Sequence, residues 1–500
     1  MPDRLRAPLN AARTGLPGHE RALFPLHPAI STLVVGAGYL GLATALGLTS
    51  RGYHVRLVER RQDRRAQLRS GRVPVAEPGM QEALEEALAR GAIDIADRPD
   101  TESSDVVFIC VATPGDASGT SDLSQVQSAL EDVAPQLGSG AVLVIRSTLP
   151  VGSTARILDW SEAPPNRTFV NPEFLRQGHA LDDFLHPTRV VVGCLADPDP
   201  AALALLEAIL RVDSVPFLVV TATEADLIKN GANAFLALKL SFANELALLC
   251  ERLDADVGPV LRGIGLDPRI GSTHLSPSFG FGGSCLPKDV RALARAGIDR
   301  ALPMQLSSAA DEANQSHQAR FAERIEVLLG TLPGRKIGLL GLAFKAGTDD
   351  VRESPAVRLA RRLIAGGAAV SGYDPLAGPN ARAELPELDV VDSAEEALRG
   401  ADLAVVGTEW PEFRDLPWDH LRGLMAVPRI LDGRRLLDER ALRDRGFAYE
   451  RIGAPGVPVS AAASAWDVVE LSVAKLRNGP SSGPFGLASL RAANSREDGP

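Results

Sequence analysis

The residues with the clearest chemical potential lie in one short stretch, Phe279-Gly-Phe-Gly-Gly-Ser-Cys285-Leu-Pro-Lys-Asp289. Its glycines allow a ligand to approach the backbone closely and tolerate positive φ values. Leu286 and Pro287 then open an apolar-periodic run, which predicts a helix that begins just after Cys285. A cysteine at a helix N-terminus beside a lysine has its thiolate stabilised by the helix dipole and the charge. We therefore predict a nucleophilic cysteine rather than a small apolar residue in a turn.

Composition excludes several classes of partner. The chain has 500 residues, a net charge of −10 and a hydrophobic content of 45%, which is typical of a soluble globular protein with more than one domain. This acidity argues against nucleic acid or an anionic membrane surface as the main partner. No apolar run reaches the roughly eighteen residues that a membrane span needs. We predict no membrane segment, no nucleic-acid partner and no metal site.

The cysteines indicate the compartment. Besides Cys285 there are three, Cys110, Cys194 and Cys250, and all three lie in apolar strand-like or helix-like contexts. Such cysteines are typical of a core. A disulfide framework is therefore not expected, and the sequence predicts a reducing, cytoplasmic location.

A glycine fingerprint, Gly36-Ala-Gly38-Tyr39-Leu40-Gly41, follows an apolar strand and opens an apolar helix. A second strand, 54–58, ends in Glu59. Glycines at these positions allow the tight turn that brings a pyrophosphate to the helix N-terminus, and the acid accepts hydrogen bonds from the ribose hydroxyls. The stretch therefore predicts a Rossmann-like dinucleotide site.

Three arginines follow the acid: Arg60, Arg61 and Arg64. Arginines at this place can accommodate the 2′-phosphate of NADP. We nevertheless predict NAD, because the Glu59 carboxylate would repel that phosphate.

Polar residues follow further predicted strands. Thr113 comes after the strand at 106–111, Thr148 after the strand at 141–145, and Glu173 after a short strand from Phe169. Doubly wound sheets bind their ligands at the carboxyl edge of the strands, so we expect these three side chains at a site. On the residues alone, Glu173 is equally well explained as a solvated loop acid.

The sequence predicts a long helix from Thr223 to about Arg252. Lys229 and Asn233 are four residues apart and share one face of it. Taken alone, the lysine is better explained by a side chain that extends along the surface to water. Apolar residues around much of the circumference predict burial within a subunit and against a second one. Gly231 inside the helix predicts a close approach of ligand or backbone.

A second α/β unit begins with the strand-like run 334–341, and further strand signals lie at 369–374, 403–406 and 430–432. Its glycines depart from the dinucleotide fingerprint, so it should bind something other than a second NAD. We predict an α/β protein with two Rossmann-like doubly wound domains joined by a long central helix and a helical middle domain. The predicted divisions are a disordered leader (1–29), an NAD domain (30–220), a central helical and dimerisation domain (221–325), a second Rossmann-like domain (326–475) and a disordered tail (476–500).

These features together predict a reaction type. A thiol beside a nicotinamide site can capture an aldehyde as a thiohemiacetal, and a second hydride transfer then gives a thioester that water hydrolyses. Simple alcohol oxidation needs no cysteine. The residues therefore favour a four-electron oxidation of an alcohol to an acid.

From about Thr32 to Gly453 the sequence resembles the UDP-glucose/GDP-mannose dehydrogenase family. The resemblance rests on four motifs in the family's order: Asn171-Pro-Glu-Phe-Leu-Arg, Leu227-Ile-Lys-Asn-Gly-Ala-Asn-Ala-Phe, Gly280-Phe-Gly-Gly-Ser-Cys-Leu-Pro-Lys-Asp289 and Gly341-Leu-Ala-Phe-Lys-Ala-Gly-Thr-Asp-Asp-Val-Arg352-Glu-Ser-Pro. One departure is Gln177, where the family pattern often has Glu, so that a charge near the expected nicotinamide side is missing.

The resemblance implies roles for individual residues. It implies Cys285 as nucleophile, Lys229 and Asp289 acting on the proton and an ordered water, Glu173 and Thr148 assisting that water, and Asn233 holding the sugar or the oxyanion. The implied cofactor residues are Gly36, Gly38, Tyr39, Leu40, Gly41, Glu59, Arg64, Thr113, Thr148, Gln177 and Arg352. The implied substrate residues are Glu173, Phe174, Leu175, Lys229, Asn233, Arg269, Phe281, Gly282, Phe344, Lys345 and Arg434.

The resemblance further implies UDP-glucose as substrate, with GDP-mannose or another nucleotide sugar as the alternative. It implies a homodimer in which Arg269 acts across the subunit interface. Two other classes stay open: a decarboxylating hydroxyacid dehydrogenase, which needs neither the cysteine loop nor the second α/β domain, and a non-catalytic nucleotide-sugar binding protein.

Overall fold

The computed structural model describes residues 30–455. The predicted leader (1–29), the predicted tail (476–500) and the end of the predicted second Rossmann-like domain (456–475) lie outside the described residues. Within them, the first half of the chain forms an eight-stranded sheet with strand order β3-β2-β1-β4-β5-β6-β7-β8. The strands are β1 (Ser31–Val35), β2 (His54–Val58), β3 (Ile93–Ala96), β4 (Val106–Ile109), β5 (Val142–Ile145), β6 (Thr168–Val170), β7 (Val190–Cys194) and β8 (Phe217–Thr221).

Every neighbouring pair in this sheet is parallel except β6 and β7, which are antiparallel. The central strands β4, β5 and β6 are buried along their whole length, as expected when helices cover both faces of a parallel sheet. The covering helices are α1 (Tyr39–Ser50), α2 (Gln62–Arg69), α3 (Met80–Ala89), α4 (Ser124–Val133), α5 (Thr154–Trp160), α6 (Ala180–Leu185) and α7 (Pro200–Leu210). Short 3-10 turns lie at Ala134–Gln136 and Pro165–Arg167.

Four helices form the middle of the molecule: α8 (Ala222–Arg252), α9 (Val257–Gly265), α10 (Leu286–Ile298) and α11 (Gln305–Leu329). The long helix begins one residue before its predicted start, because Thr221 and Glu224 form a capping box that satisfies its first backbone amides. It packs against α10 and α11. No protein atom outside the helix lies within 4 Å of the place where a Cβ on Gly231 would be, so the expected close approach of backbone is wrong, and the approach of a ligand stays a prediction.

By length and composition, α8 is the single helix among residues 30–455 that could cross a membrane. The central helix of a globular core meets the same two criteria. Here the helix buries Asp226, Lys229, Asn230 and Asn233 against its neighbours. The finding is therefore weak evidence and supports no membrane assignment.

The second half forms a six-stranded, fully parallel sheet with strand order β11-β10-β9-β12-β13-β14. Its strands are β9 (Lys336–Leu340), β10 (Ala369–Tyr373), β11 (Asp389–Val390), β12 (Leu403–Val406), β13 (Arg429–Asp432) and β14 (Ala448–Arg451). Its helices are α12 (Pro355–Ala365), α13 (Gly378–Glu384), α14 (Ala394–Leu398), α15 (Trp418–Leu424) and α16 (Glu439–Asp444), with a 3-10 turn at Pro411–Arg414. One hydrophobic cluster joins α8 and α11 to this sheet. The predicted fold class is confirmed.

Candidate active site

The cysteine loop is pressed against the second half of the molecule. A Cβ on Gly282 would overlap the carbonyl group of Glu353, and one on Gly283 would come within 2.8 Å of the Phe344 ring. The Gly283 amide donates to the carbonyl of Arg352 at 3.0 Å. Glycine is therefore required here by close approach, and the loop delivers Cys285 to the N-terminus of α10 as predicted.

A buried ion pair from two elements lies near the thiol. Lys229 on α8 and Glu173, which follows β6, approach to 3.0 Å between Nζ and Oε1. The other Glu173 oxygen accepts the Leu175 amide at 2.6 Å. Both charged side chains are nearly excluded from solvent, so the structure favours the site interpretation of Lys229 and Glu173 over an extended surface lysine and a solvated acid.

A second buried carboxylate belongs to Asp289, one turn along α10 from Cys285. It accepts a hydrogen bond from Asn233 Nδ2 at 2.6 Å, and Lys288 Nζ lies 2.8 Å from its other oxygen. Sequence reasoning noted Lys288 as a nearby cation and missed its ion pair with Asp289. The side chains at helix positions 229 and 233 thus reach two different carboxylates.

The charges around Cys285 do not favour its thiolate. Cys285 has surface open to solvent, yet burial among the surrounding protein atoms raises the pKa of the thiol, and Glu173 raises it further. Lys229 lowers this pKa, and Asp289 raises it. The expectation of a stabilised thiolate is wrong for this arrangement, because the nearby carboxylates and burial outweigh the ammonium.

Lys229 is held in its charged form. Burial alone lowers the pKa of its ammonium, but the negative charges of Glu173, Asp289 and the Cys285 thiolate outweigh that effect and leave the pKa raised. The lysine therefore presents a cation beside the thiol, suited to stabilise a developing oxyanion.

One cavity of about 580 Å³ collects most of the predicted substrate residues. Predicted residues that line it come from the segment after β6, from α8, from the cysteine loop and from the second half of the chain: Glu173, Phe174, Leu175, Gln177, Lys229, Asn233, Gly282, Cys285, Phe344 and Lys345. Burial lowers the pKa of the Lys345 ammonium, although Glu77 and Glu409 raise it. A partly desolvated cation in the lining of the cavity is suited to bind an anionic group such as a diphosphate.

Three predicted substrate residues lie outside this lining. Arg434 donates to the carbonyl oxygens of Gly407 and Phe344, at 2.8 and 3.1 Å, and so holds the backbone of Phe344 in place. The Phe281 side chain is buried in a hydrophobic cluster with α8 and α10. Arg269 is highly exposed and pairs with its neighbour Asp267. Substrate contacts of these three residues stay predictions.

The glycine fingerprint is built to receive a dinucleotide. Gly36 has φ +100°, and a Cβ on Gly41 would overlap the Gly36 carbonyl, so the turn requires both glycines. No atom lies within 4 Å of the place where a Cβ on Gly38 would be, which leaves the N-terminus of α1 open to a pyrophosphate. Tyr39 donates a hydrogen bond to Asp349 from the second half. Leu40 packs against the hydrophobic core of the first sheet.

The residues after β2 fit NAD better than NADP. Glu59 ends the strand with a buried carboxylate that accepts the Arg61 amide at 2.9 Å. Arg60 and Arg61 are each paired with an aspartate, and Arg64 Nη2 lies 3.5 Å from the Pro74 carbonyl. These arginines are thus engaged within the protein, and the carboxylate remains at the ribose position.

The remaining predicted cofactor residues lie where the two halves meet or at the carboxyl edge of the first sheet. Thr113 donates to the carbonyl of Thr148 at 2.9 Å and ties two strand ends together. Gln177 donates to Asp350 at 2.8 Å, and Asp350 also binds Arg352 through both of its oxygens. Sequence reasoning missed Asp350, although it belongs to the motif that contains Arg352.

A dinucleotide fold and a thiol beside a lysine–carboxylate pair define a class, the nicotinamide-dependent dehydrogenases with a cysteine in the site. Comparison with family models narrows it. Residues 30–211 match the NAD binding domain of the UDP-glucose/GDP-mannose dehydrogenase family, residues 223–316 its central domain, and residues 338–439 its UDP binding domain. The chain belongs to this family, and its cofactor is NAD, as predicted. The exact limits of the predicted domains stay predictions.

Individual relatives agree with the family models. The chain is 38% identical to the UDP-glucose 6-dehydrogenase of Rhizobium meliloti, with 84% of this chain and 99% of the relative covered. A solved UDP-glucose dehydrogenase from Pyrobaculum islandicum is similar with a TM-score of 0.77 and 35% identity, over 89% of this chain and 99% of that one. A solved UDP-D-ManNAc dehydrogenase from Pyrococcus horikoshii has a TM-score of 0.74 and 29% identity, over 85% and 99%.

Proposed function

We propose that the protein oxidises UDP-glucose to UDP-glucuronate, using two NAD and one water. The observation that carries the proposal is the joint position of Cys285, Lys229 and Glu173 in one cavity that Lys345 and Phe344 also line. A cavity lined by a thiol, a lysine–carboxylate pair and a further cation fits a substrate that carries a diphosphate as well as a reacting alcohol. The names of the relatives support UDP-glucose as that substrate.

When bound, NAD would supply the hydride acceptor for each of the two oxidation steps. In the first step the alcohol carbon loses a hydride and its hydroxyl loses a proton, which gives an aldehyde. The Cys285 sulfur then adds to the aldehyde carbon, and the thiol proton passes to the aldehyde oxygen, so that a thiohemiacetal forms. Loss of the second hydride and of the hydroxyl proton gives a thioester, and water cleaves the carbon–sulfur bond to release the acid and restore the thiol.

The protein groups have distinct tasks in this scheme. The Lys229 ammonium faces the oxyanion that develops when sulfur adds, and Asn233 fixes the Asp289 carboxylate at 2.6 Å. Glu173 and Asp289 are the bases available to accept protons and to orient the hydrolytic water. Because the Cys285 thiol is neutral in the free protein, sulfur attack and loss of the thiol proton must be coupled at these carboxylates.

The test measures NADH formed per UDP-glucose consumed, for the wild-type chain and for Cys285→Ser. We expect two NADH per sugar, and loss of the acid product in the variant. Cys194→Ser, which removes a half-buried thiol at the end of β7, is the matched control and should keep both NADH. One NADH per sugar that is independent of the thiol would contradict the mechanism.

The substrate is tested separately with a panel of nucleotide sugars. GDP-mannose is the alternative that the sequence motifs leave open, and UDP-N-acetylmannosamine enters because of the structural similarity at 29% identity. Two NADH from one of these, and none from UDP-glucose, would retain the mechanism and replace the substrate. Binding of UDP-glucose without NADH formation from any sugar would instead favour a non-catalytic binding protein.

We also propose a homodimer in which Arg269 reaches the partner's cavity, and a cytoplasmic location. Four apolar side chains, exposed by 45 to 62%, form one stripe along α8: Leu227, Phe235, Phe242 and Leu249. A stripe of this length is suited to a second copy. Phe242→Asp should lower the mass measured by light scattering, whereas Arg269→Ala should keep the dimer and weaken substrate binding. Unpaired cysteines throughout the described residues support the cytoplasmic location.

A further inference from the structure

Arg146 is a buried guanidinium without an ion pair among the described residues. It follows β5 directly, and 5% of its surface is exposed. Its Nη1 donates to the side-chain oxygen of Asn171, and its buried Nε has no partner in the described structure. A buried charge with so few contacts is expensive to keep, so its presence calls for a local reason.

Asn171 connects this guanidinium to three strands. Its backbone amide donates to Ile145 of β5 at 2.8 Å, and its side-chain amide donates to the carbonyl of Val191 in β7 at 2.7 Å. The bond to β7 lies where the sheet changes from parallel to antiparallel pairing. The Arg146–Asn171 pair therefore fixes the ends of β5 and β6 at this irregular point of the sheet.

Arg146 and Asn171 each lie two residues before a predicted catalytic residue. Arg146 precedes Thr148, and Asn171 precedes Glu173. The intervening Ser147 hydroxyl donates to the carbonyl of Val111 at 2.7 Å, which holds the first segment from the other side. A shift of the Arg146–Asn171 pair would consequently move both site residues.

The charges that act on Arg146 are few. Burial lowers the pKa of its guanidinium, whereas the Cys110 thiolate and the Glu173 carboxylate raise it. Arg51 lies over the same Phe184 ring, with ring-centroid distances of 4.9 Å for Arg51 and 5.4 Å for Arg146. Glu173 thus feels Arg146 in addition to its direct partner Lys229.

We propose that Arg146 is a positioning residue for Thr148 and Glu173: through Asn171 it fixes the strand ends that carry them. The inference rests on the proposed function, because it assigns Arg146 to the same reaction. It assigns no contact between Arg146 and the substrate.

The experiment compares Arg146→Met with Arg146→Lys, using whichever nucleotide sugar the wild-type chain oxidises. Arg146→Met removes the charge at similar volume and should lower kcat by roughly ten- to a hundredfold with little change in KM, because the strand ends shift. It should also move the pH profile of Cys285 alkylation to lower pH, because a displaced Glu173 carboxylate raises the pKa of the thiol less. Arg146→Lys keeps a cationic donor for Asn171, so it should restore kcat and the alkylation profile even where its melting temperature stays lowered.

Arg51→Met is the matched control. Arg51 shares the Phe184 ring but donates to the backbone carbonyls of Phe184, Ile209 and Leu210, away from the strand ends. This variant should lower the melting temperature and leave the pH profile of Cys285 alkylation in place. If Arg146→Met behaves in the same way, Arg146 is merely structural and the proposal fails.

A readout without substrate separates this inference from the proposed function. The pH at which iodoacetamide alkylates Cys285 depends on the pKa of the thiol, which the Glu173 carboxylate raises. Displacement of Glu173 in Arg146→Met should move this alkylation profile to lower pH. Absence of NADH from the wild-type chain would overturn the function, whereas an unmoved alkylation profile would overturn the role of Arg146.

Discussion

The two sheets of this protein share the same strand order around their first strand. Each has an acid after the equivalent second strand, but the two acids differ in how many hydrogen bonds they accept from the protein. Glu59 follows β2, and Asp374 follows β10. In the described structure Glu59 accepts one backbone amide, from Arg61. Asp374 accepts hydrogen bonds from four backbone amides and one indole, those of Leu342, Ala343, Leu376, Ala377 and Trp410.

The difference decides which half is able to bind a dinucleotide. The amides of Leu342 and Ala343 follow β9, where a pyrophosphate would bind in a dinucleotide site, and Asp374 already occupies them. The corresponding turn in the first half stays open at Gly38. Two sheets of one topology therefore differ in the ligand they can bind, because the Asp374 carboxylate accepts the backbone amides that a pyrophosphate would need. Topology alone does not assign a nucleotide site.

The strongest test exchanges the two acids for alanine. Asp374→Ala leaves several buried donors without partners and should lower the free energy of unfolding by about 4 kcal/mol. Glu59→Ala should change that free energy by less than about 1 kcal/mol and raise the NAD dissociation constant at least tenfold, through loss of hydrogen bonds to a charged group. Chemical unfolding and NAD titration measure both quantities. Equal destabilisation by the two variants would remove the contrast between the halves.

The second test makes the same comparison with glycines. Gly38→Asp adds a carboxylate in open space where the pyrophosphate approaches, so it should weaken NAD binding by roughly a hundredfold while the protein stays folded. Gly341→Ala should instead destabilise the second half, because its φ is +95° and the new Cβ would lie 2.6 Å from the Thr408 nitrogen. Normal NAD binding by Gly38→Asp would contradict the open turn.

The third and smallest effect concerns the helices between the halves. Burial lowers the pKa of His317 on α11 to about 4, and its Nε2–H donates to the Ser278 carbonyl at 2.7 Å. Below pH 6.5 the imidazole of His317 takes up a proton in the unfolded chain but stays neutral in the folded protein. The contribution of neutral His317 to the free energy of unfolding is therefore full above pH 6.5 and falls as the pH approaches 4. This contribution should fall by about 2 kcal/mol between pH 7 and pH 5.

His317→Gln is the control for that test, since glutamine keeps a donor for the Ser278 carbonyl and does not titrate. Urea unfolding at pH 7 and pH 5 should show a smaller pH dependence for the variant than for the wild-type chain. The comparison uses this difference because other groups also titrate: burial raises the pKa of Asp226 to about 8, which works in the opposite direction. An identical pH dependence for both chains would rule out His317 as the source.

Much of this architecture follows from local sequence. The glycine fingerprint, the apolar strands and the long helix were predictable because each has a period or a turn residue that few other structures allow. Five strands, β3, β7, β8, β11 and β14, were not predicted. All five lie at a sheet edge or next to one, where pairing with a neighbouring strand decides whether a strand forms. The antiparallel pairing of β6 and β7 could not be predicted either, because no local sequence signal fixes the direction of a strand in its sheet.

The site was predictable in its members and not in its electrostatics. Cys285, Lys229 and Glu173 were singled out from their motifs, and the structure brings them to one cavity. The raised pKa of the thiol depends first on burial and then on the Glu173 carboxylate, which comes from a distant part of the chain, and spacing along the chain cannot express such a sum. The hydrogen bonds of Asp374 to backbone amides after β9 were not predicted either, because they join residues far apart in the sequence.

The order of the strands has a consequence for biosynthesis. Every strand of the first sheet lies between Ser31 and Thr221, so the sheet and Glu173 can be complete before the cysteine loop leaves the ribosome. Domains generally fold as units during translation at roughly 5–20 residues per second, which delays Cys285 by several seconds. We therefore expect the nascent chain to acquire its thiol last, on a finished scaffold, so that the reactive sulfur is never exposed to the unfolded first half.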